Sequence, residues 1–161
     1  ENFWIIRRDS FNLLRQKIHS LHTAPFIDNI IVPPAALPEF LPELYQLLDK
    51  ERLVVTVAGH VGDGNFHIIP LMDIANPDTK RVIETLSKQV YNLVLRYGGS
   101  ITAEHNDGLI RSPFLKQMYG PKIYHLFEQT KQAFDPKGIF NPGKKVAADL
   151  DWALNHLRTT W

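Results

Sequence analysis

The sequence contains no cysteine among its 161 residues, which excludes disulfide bonds, thiolate zinc sites and cysteine-bound iron–sulfur clusters within this chain. It has no apolar run approaching the ~20 residues needed to span a bilayer, and no signal-peptide pattern opens it. The formal net charge is only +1, so no sequence-wide attraction draws the chain toward nucleic acid or anionic membranes. Hydrophobic residues make up 44% and charged residues 22%, which is typical of a soluble globular protein.

Two familiar groups of functional motifs are missing as well. The chain has neither a G-x-G-x-x-G nor a Walker A sequence, so it offers no phosphate-cradling loop of its own, and it has no G-x-S-x-G elbow for a serine nucleophile. The length suits one compact domain, and we expect residues 1–161 to form it. Because the sequence starts at Glu1 rather than at methionine, we expect an excised piece of a longer polypeptide, with processing or tag removal as the alternative.

Hydrophobic periodicity predicts an alternation of helices and strands. Apolar residues at helical spacing predict helices over 3–21, 37–48, 76–97, 120–134 and 147–157, and runs of branched apolar residues predict strands at 26–32, 53–58, 66–72 and 100–103. The central order of strand, helix, strand, strand, helix, strand is the split βαβ arrangement. We therefore predict an α+β fold, a ferredoxin-like antiparallel sheet with helices packed on one face.

Polar residues concentrate at two places in this scheme. The first is the segment HVGDGNFH at 60–67, whose glycines predict a tight reversal with a close backbone approach. Such a reversal brings His60 and His67 to the same edge of the sheet, and Asn65 and His67 are two apart and share a face. The second place is Glu104-His105, at the end of the last predicted strand. In a ferredoxin-like sheet both places can face a common cleft.

Two histidines and one carboxylate are a standard ligand set for a divalent ion with an open position, so His60, His67 and Glu104 are candidate ligands for zinc, manganese or iron. A 2-hydroxy acid could chelate such an ion, its hydroxyl pKa would fall, and a neighbouring base such as His105 could accept the proton. The hydride on carbon would need a cofactor as its acceptor. Spacing alone leaves a structural role open, because histidines seven apart are commonly structural and GDG is an ordinary hairpin turn.

Several motifs, in order along the chain, resemble the C-terminal domain of FAD-linked oxidases, a family that includes D-lactate, glycolate and D-2-hydroxyglutarate dehydrogenases. The chief motifs are GHVGDGNFH at 59–67, SITAEH at 100–105 and FDPKGIFNPGK at 134–144. FIDNIIVPP at 26–34 resembles a fourth signature, and the opening FWIIRR resembles the start of the family domain. The resemblance runs from about Trp4 to Lys144.

This resemblance implies a two-domain flavoprotein. An N-terminal domain of the vanillyl-alcohol-oxidase type would hold FAD and would lie outside this chain, and the present domain would cover the flavin and supply the substrate site. The implied partners are the FAD-binding domain of the same polypeptide, a small 2-hydroxy acid of the lactate or glycolate type and an electron acceptor, with no nucleic acid. We expect a cytoplasmic protein, with a peripheral membrane position left open, and an isolated domain that is inactive.

The resemblance also assigns roles to individual residues. It implies that His60, His67 and Glu104 are metal ligands, that His105 is the base and that Asn65 contacts substrate. It also implies that Arg7 contacts the substrate carboxylate. Arg111, in the loop that departs from the family pattern, is a second candidate for that role, and Asn141 could contact flavin or substrate. The alternatives are a solvated helix face for Arg7, a surface loop cation for Arg111 and turn chemistry for Asn141.

Two departures from the family pattern bear on the substrate. The residue after Glu104-His105 is Asn106 instead of the usual glycine, and Ile27 stands where the family often has a basic residue. The loss of that cation argues against a dicarboxylate substrate. Two other functions remain open: a non-catalytic ferredoxin-like ligand-binding module, and a metal-dependent hydrolase that uses two histidines and one glutamate.

Overall fold

The computed structural model describes residues 3–6, 8–9 and 21–158. Residues 3–6 and 8–9 are helical, as predicted, and Leu21, the last residue of that first predicted helix, is not helical. The other residues of the prediction, including Arg7, lie outside the described residues. The elements that follow are β1 (His22–Thr23), β2 (Ile30–Ile31), α1 (Leu37–Lys50), β3 (Val54–Ala58), β4 (Asn65–Met72), α2 (Thr79–Arg96), α3 (Gly108–Arg111), α4 (Leu115–Phe134) and α5 (Leu150–Asn155).

The sheet is built around β4, which pairs antiparallel with β1, β2 and β3. Leu71 pairs with Thr23 of β1 and with Val54 of β3, so these two strands lie on opposite sides of β4. An antiparallel bridge from Ile31 to Ser100 extends the sheet beyond β2. The resulting order of Ser100, β2, β4 and β3 is that of a ferredoxin-like sheet, and the predicted α+β fold is confirmed.

The two long helices α1 and α2 cover one face of this sheet. Side chains of a strand alternate between faces, and Phe66, Ile68 and Met72 of β4 pack into the core with apolar residues of both helices. His67 and Ile69, which alternate with them, are only partly buried and point to the opposite face. The helices therefore bury one face of the sheet, and His67 stands on the other.

The predicted strand at 26–32 is wrong in extent, because only Ile30 and Ile31 of that segment are in a strand. The register pairs Thr23 with Leu71 and Ile30 with Phe66, so residues 24–29 lie opposite residues 67–70. Residues 24–29 number two more than residues 67–70. Because they cannot all pair one to one with β4, they leave the ladder as a bulge. Within the bulge, the buried Asn29 has a left-handed backbone with φ 65°.

The predicted strand at 100–103 is also wrong beyond Ser100, which forms the single bridge to Ile31. The backbone amides of Ala103 and Glu104 bond to the bulge instead of to a neighbouring strand. Ala103 N donates to Asn29 O at 3.1 Å, and Glu104 N donates to the side-chain oxygen of Asn29 at 3.2 Å. The bulge therefore holds the segment that carries Glu104 and His105.

The predicted helices after residue 21 are confirmed apart from details of their ends. The helix predicted from Asn76 begins at Thr79, because the Asn76 side chain accepts from Asp78 N at 2.9 Å and forms a turn before the helix. Helix α4 starts earlier than predicted, at Leu115, and breaks at Gly120, whose φ is 75° and which precedes a proline. No helix in the described parts of the chain is long and apolar enough to cross a membrane.

Candidate metal and substrate site

The β3–β4 connection brings His60 and His67 together, and two of its three glycines are required by its shape. A Cβ on Gly64 would lie 1.9 Å from Val32 O, and one on Gly59 would lie 2.3 Å from Asn65 O. Gly62, in contrast, has nothing within 4 Å of such a Cβ. The predicted close approach is therefore confirmed at Gly59 and Gly64, and it leaves the two imidazole centroids 6.0 Å apart.

Three imidazoles converge on one carboxylate oxygen. Glu104 Oε1 lies 2.8 Å from His67 Nε2, 3.5 Å from His60 Nε2 and 3.9 Å from His105 Nε2. Glu104 and His60 are nearly half exposed, whereas the His67 side chain is 19% exposed. We call these four residues the histidine cluster. The two polar places predicted from the sequence do face one cleft.

The donor set of the cluster fits a divalent metal ion. Ligand atoms of His60, His67 and Glu104 all lie within 4.8 Å of one another. Imidazole nitrogen with carboxylate oxygen suits zinc, iron or manganese. Because His60 and Glu104 are open to solvent, an ion held by these three side chains would keep coordination positions free for a small ligand.

Asp28 is part of this site, although the sequence did not identify it. Its Oδ1 lies 3.0 Å from His67 Nδ1 and its Oδ2 lies 3.5 Å from His105 Nδ1. The two rings stack with centroids 5.2 Å apart. The Asp28 side chain is only 11% exposed. The available signal was an acidic residue within an apolar segment, since such a group is seldom buried without a partner.

Asn65, the predicted substrate contact, is 4% exposed and is tied to the bulge. Its Nδ2 donates to Asn29 Oδ1 at 3.2 Å and to Ile30 O at 3.1 Å. Its Oδ1 is buried and has no hydrogen-bond partner in the part of the chain that the structure describes. That oxygen leaves one acceptor uncommitted, and the substrate role of Asn65 stays a prediction.

Arg111 is not the surface loop cation of the alternative reading, because it is only 7% exposed. Its Nη1 donates to Asp28 O at 3.1 Å, and its Nη2 donates to Asn106 O. The guanidinium thereby ties the bulge to the segment after His105. Its predicted contact with a substrate carboxylate stays untested, as does that of Arg7 outside the described residues.

Asn141, the predicted flavin contact, lies exposed in the C-terminal loop with φ 45°. It lines a cleft with Asn106, next in the chain to His105. Asp135 shapes this loop by accepting from Ile139 N at 3.0 Å and Phe140 N at 2.9 Å. A hydrogen bond from Lys131 is the largest cause that lowers the pKa of Asp135. The flavin role of Asn141 stays a prediction.

The position where the family often has a basic residue is shielded from the cluster. Ile27 is fully buried and belongs to the hydrophobic core. Because its side chain is apolar and packed inside the protein, it supplies no charge to a bound ligand.

The chain forms a ferredoxin-like domain. The histidine cluster lies on the face of the sheet away from α1 and α2, and its side chains are of types that bind metal ions. Residues 1–145 match the family described as FAD linked oxidases, C-terminal domain, and the chain belongs to that family.

Similar proteins carry names from the same class. The chain is 30% identical over 151 residues to a D-2-hydroxyglutarate dehydrogenase of Haemophilus influenzae, covering 94% of this chain and 14% of that protein. It is 33% identical over 141 residues to the D-2-hydroxyglutarate dehydrogenase of Pseudomonas putida, covering 88% and 14%. It is 29% identical over 129 residues to glycolate oxidase subunit GlcD of Bacillus subtilis, covering 80% and 27%. The chain thus spans only a small part of the length of these relatives.

Proposed function

We propose that this chain is the substrate-binding domain of a flavin-dependent enzyme that oxidises a 2-hydroxy acid to the 2-oxo acid. The observation that carries the proposal is the convergence of three histidine Nε2 atoms on Glu104 in a chain of this family. Residues 1–161 would form one domain, and an FAD-binding domain elsewhere in the same polypeptide would hold the flavin.

The cluster divides the work between binding and proton transfer. His60, His67 and Glu104 would hold a divalent ion, which when bound supplies Lewis acidity that lowers the pKa of a coordinated hydroxyl. His105 would accept the hydroxyl proton at Nε2, since its side chain is 50% exposed and this atom faces Glu104. Carbon 2 of the substrate would lose its hydrogen as hydride, together with the electron pair of the C–H bond. The bond from carbon 2 to the deprotonated oxygen would become a carbonyl.

No protein side chain accepts a hydride, so the reaction requires a cofactor as the acceptor. We assign this role to FAD because the chain belongs to a family of FAD linked oxidases. Asn141 is our candidate for a contact with the flavin. The electrons would leave the reduced flavin for a separate acceptor, and the isolated chain would be inactive.

An exposed apolar surface supports a covering domain. It comprises Ile123 and Leu126 of α4, Phe134 at its end, and Ile139 and Phe140 in the next loop, each between 41% and 83% exposed. We call this the C-terminal apolar surface. Large apolar side chains left exposed in such number along one segment of the chain point to an interaction site. We assign it to the FAD-binding domain of the same polypeptide, since the chain matches a family of C-terminal domains.

The substrate would be a small 2-hydroxy acid, with Asn65 and the arginines Arg7 and Arg111 as candidate contacts for its polar groups. Arginine suits this role because its fork binds carboxylates bidentately. The names of the relatives point to D-2-hydroxyglutarate, a dicarboxylate, and to glycolate, a monocarboxylate. Ile27 argues for the monocarboxylate, as the sequence predicts.

The test is anaerobic flavin bleaching by the natural-length polypeptide that contains this chain. D-2-hydroxyglutarate, D-lactate and the achiral glycolate are added in turn, with L-2-hydroxyglutarate and L-lactate as controls. We expect one or more of these acids to bleach the flavin, and expect His67→Ala to abolish the bleaching while the oxidised flavin spectrum is retained. A protein without flavin that hydrolyses esters in the presence of zinc would instead support the hydrolase alternative.

A further inference from the structure

We propose that Asp28 is a positioning residue that fixes two imidazoles at once, so that His67 and His105 both present an unprotonated Nε2 to the ligand. The consequences for catalysis rest on the proposed function. The positioning itself follows from geometry within this chain and can be tested without a substrate.

One carboxylate presents an oxygen to each ring, through a hydrogen bond with His67 Nδ1 and a longer ion-pair contact with His105 Nδ1. Oδ1 lies 3.0 Å from His67 Nδ1, and Oδ2 lies 3.5 Å from His105 Nδ1. The two rings stack at an interplanar angle of 29°. Their Nδ1 atoms therefore face Asp28 on the buried side, while their Nε2 atoms face Glu104 on the open side, at 2.8 and 3.9 Å.

A neutral imidazole carries its proton on one of two nitrogens, and the hydrogen bond at one nitrogen decides the state of the other. A carboxylate at Nδ1 accepts the Nδ1–H and leaves the lone pair on Nε2. At His67 both nitrogens face a carboxylate, and the contact with the geometry of a hydrogen bond is the one from Nδ1 to Asp28. That is the arrangement by which outer carboxylates orient metal-bound histidines. Here the same carboxylate would prepare His67 to bind an ion and His105 to accept a proton.

The surrounding chain aims Asp28 at the two rings. Arg111 Nη1 donates to the backbone oxygen of Asp28 at 3.1 Å, and the adjacent Asn29, in its left-handed conformation, accepts from Asn65 and from Glu104 N. The Asp28 side chain is 11% exposed. A carboxylate so deeply placed needs hydrogen-bond donors, and the two imidazoles face both of its oxygens.

A rival arrangement uses the same atoms. Ligand atoms of Asp28, His67 and His105 also lie within 4.8 Å of one another and could hold an ion through the Nδ1 side. The exposure of the side chains argues against it. His67 belongs to both ligand sets and His105 is 50% exposed, so the difference lies in Asp28, whose side chain is 11% exposed, whereas His60 and Glu104 are 41% and 46% exposed.

The first test reads the proton position directly. Long-range ¹H–¹⁵N correlation spectra of the metal-free 161-residue chain at pH 9, well above the ordinary histidine pKa of about 6.5, distinguish the two neutral forms. We expect the Nδ1–H form for His67 and His105 in the wild type. We expect Asp28→Ala to shift both histidines toward the Nε2–H form. Asp28→Asn should cause a smaller shift, because its amide oxygen still accepts a hydrogen bond. Asp63→Asn, the control, removes an exposed charge from the β3–β4 hairpin and should cause no shift.

The second test measures zinc affinity on the same proteins by calorimetry. Loss of an outer carboxylate weakens metal binding by about 10–100-fold. We expect this loss of zinc affinity in Asp28→Ala, and an affinity within twofold of wild type in Asp63→Asn.

Should Asp28→Ala fail to fold, as judged by circular dichroism, Asp28→Asn decides. Unchanged tautomers in the folded Asp28 variants would overturn the proposal. So would zinc binding that survives His60→Ala at full strength but is abolished by Asp28→Asn, because that pattern belongs to the rival site. A wild-type chain that binds no zinc contradicts the proposed metal site alone, since the tautomers still report on Asp28.

Discussion

The sheet edge that carries the histidine cluster and the C-terminal segment from α4 onward are built in opposite ways. At the sheet edge, the single residue Asn29 bonds to Asn65 and to the backbone amides of Ala103 and Glu104. Polar contacts there join the bulge, the start of β4 and the segment after Ser100. Helix α4 spans Leu115–Phe134 yet buries only Leu115 and Tyr124.

Under the proposed function, this difference separates what the chain itself contains from what another domain would supply. The histidine cluster has its candidate ligands, the proposed orienting carboxylate of Asp28 and its scaffold within the chain. The C-terminal apolar surface has no comparable internal partner among the described residues, and we assign it to another domain. Substitutions at matched residue types in the two regions should therefore behave differently.

The largest contrast is expected between two histidines. In the natural-length polypeptide, His105→Gln should lower kcat by about 10²–10⁴-fold, because it removes the proposed general base. His125→Gln, on the exposed face of α4 where His125 pairs with Glu128, should leave kcat within twofold. Steady-state kinetics with a dye acceptor measures both. Equal kcat values for His105→Gln and wild type would contradict the assignment of the base.

Two phenylalanines contrast burial with exposure. Phe40 is fully buried in the core and Phe134 is 83% exposed. Phe40→Ala should lower the free energy of unfolding by about 3–5 kcal/mol, whereas Phe134→Ala should change it by less than about 0.5 kcal/mol. Urea unfolding of the 161-residue chain measures both. A large loss of stability in Phe134→Ala would mean that the C-terminal apolar surface is covered by this chain itself.

Two glycines of the same hairpin should respond with opposite sign. Gly64→Ala places a Cβ against Val32 O at a φ of 77°, and on the order of 3 kcal/mol of stability should be lost. Gly62→Ala meets nothing and should stabilise the fold by up to about 1 kcal/mol through the unfolded state. Thermal unfolding of the two variants decides, and equal melting temperatures would show that the hairpin does not press against Val32.

Two asparagines with positive φ separate backbone from side-chain effects. Glycine tolerates the left-handed conformation, so Asn29→Gly removes mainly the side-chain hydrogen bonds to Asn65 and Glu104 N, and about 2–3 kcal/mol should be lost. Asn141→Gly, at an exposed position, should change stability by less than about 0.5 kcal/mol. In the natural-length polypeptide, weakened flavin binding by Asn141→Gly would support its cofactor role. A change in stability at Asn29 as small as that at Asn141 would refute its role as a scaffold.

The smallest effect concerns acid stability of the C-terminal loop. The hydrogen bond from Lys131 lowers the pKa of Asp135, so its contribution to stability is present above the ordinary carboxyl pKa of about 3.9 and is lost as the pH falls through the lowered value. Asp135→Asn should therefore lower the melting temperature at pH 7 and converge with wild type as the pH falls through the lowered pKa of Asp135. Asp151→Asn, on the exposed side of α5, serves as the control. A difference that does not change with pH would contradict the ionic role.

The sequence predicts the parts of the site that depend on local rules. The glycines between β3 and β4 predict a tight reversal that places His60 beside His67. The predicted order of the strands brings Glu104 to the same cleft. Phe40 and Leu44 follow the helical period that the sequence shows directly.

The bulge is the part that local rules could not predict. FIDNIIV reads as a continuous apolar strand, and only the register of β1 and β2 against β4 shows that Asp28 and Asn29 leave the ladder. The sequence also did not predict that Arg111 holds the bulge and the segment after His105 together. Its partners, the backbone oxygens of Asp28 and Asn106, come together through tertiary contacts.

The most direct test of the account is a calorimetric titration of the 161-residue chain with zinc and manganese, using His67→Ala and, as a control, His125→Ala. The account predicts one ion bound per chain by the wild type and by His125→Ala, and none by a folded His67→Ala. Equal metal binding by wild type and His67→Ala, or no binding by any of the three, would contradict it.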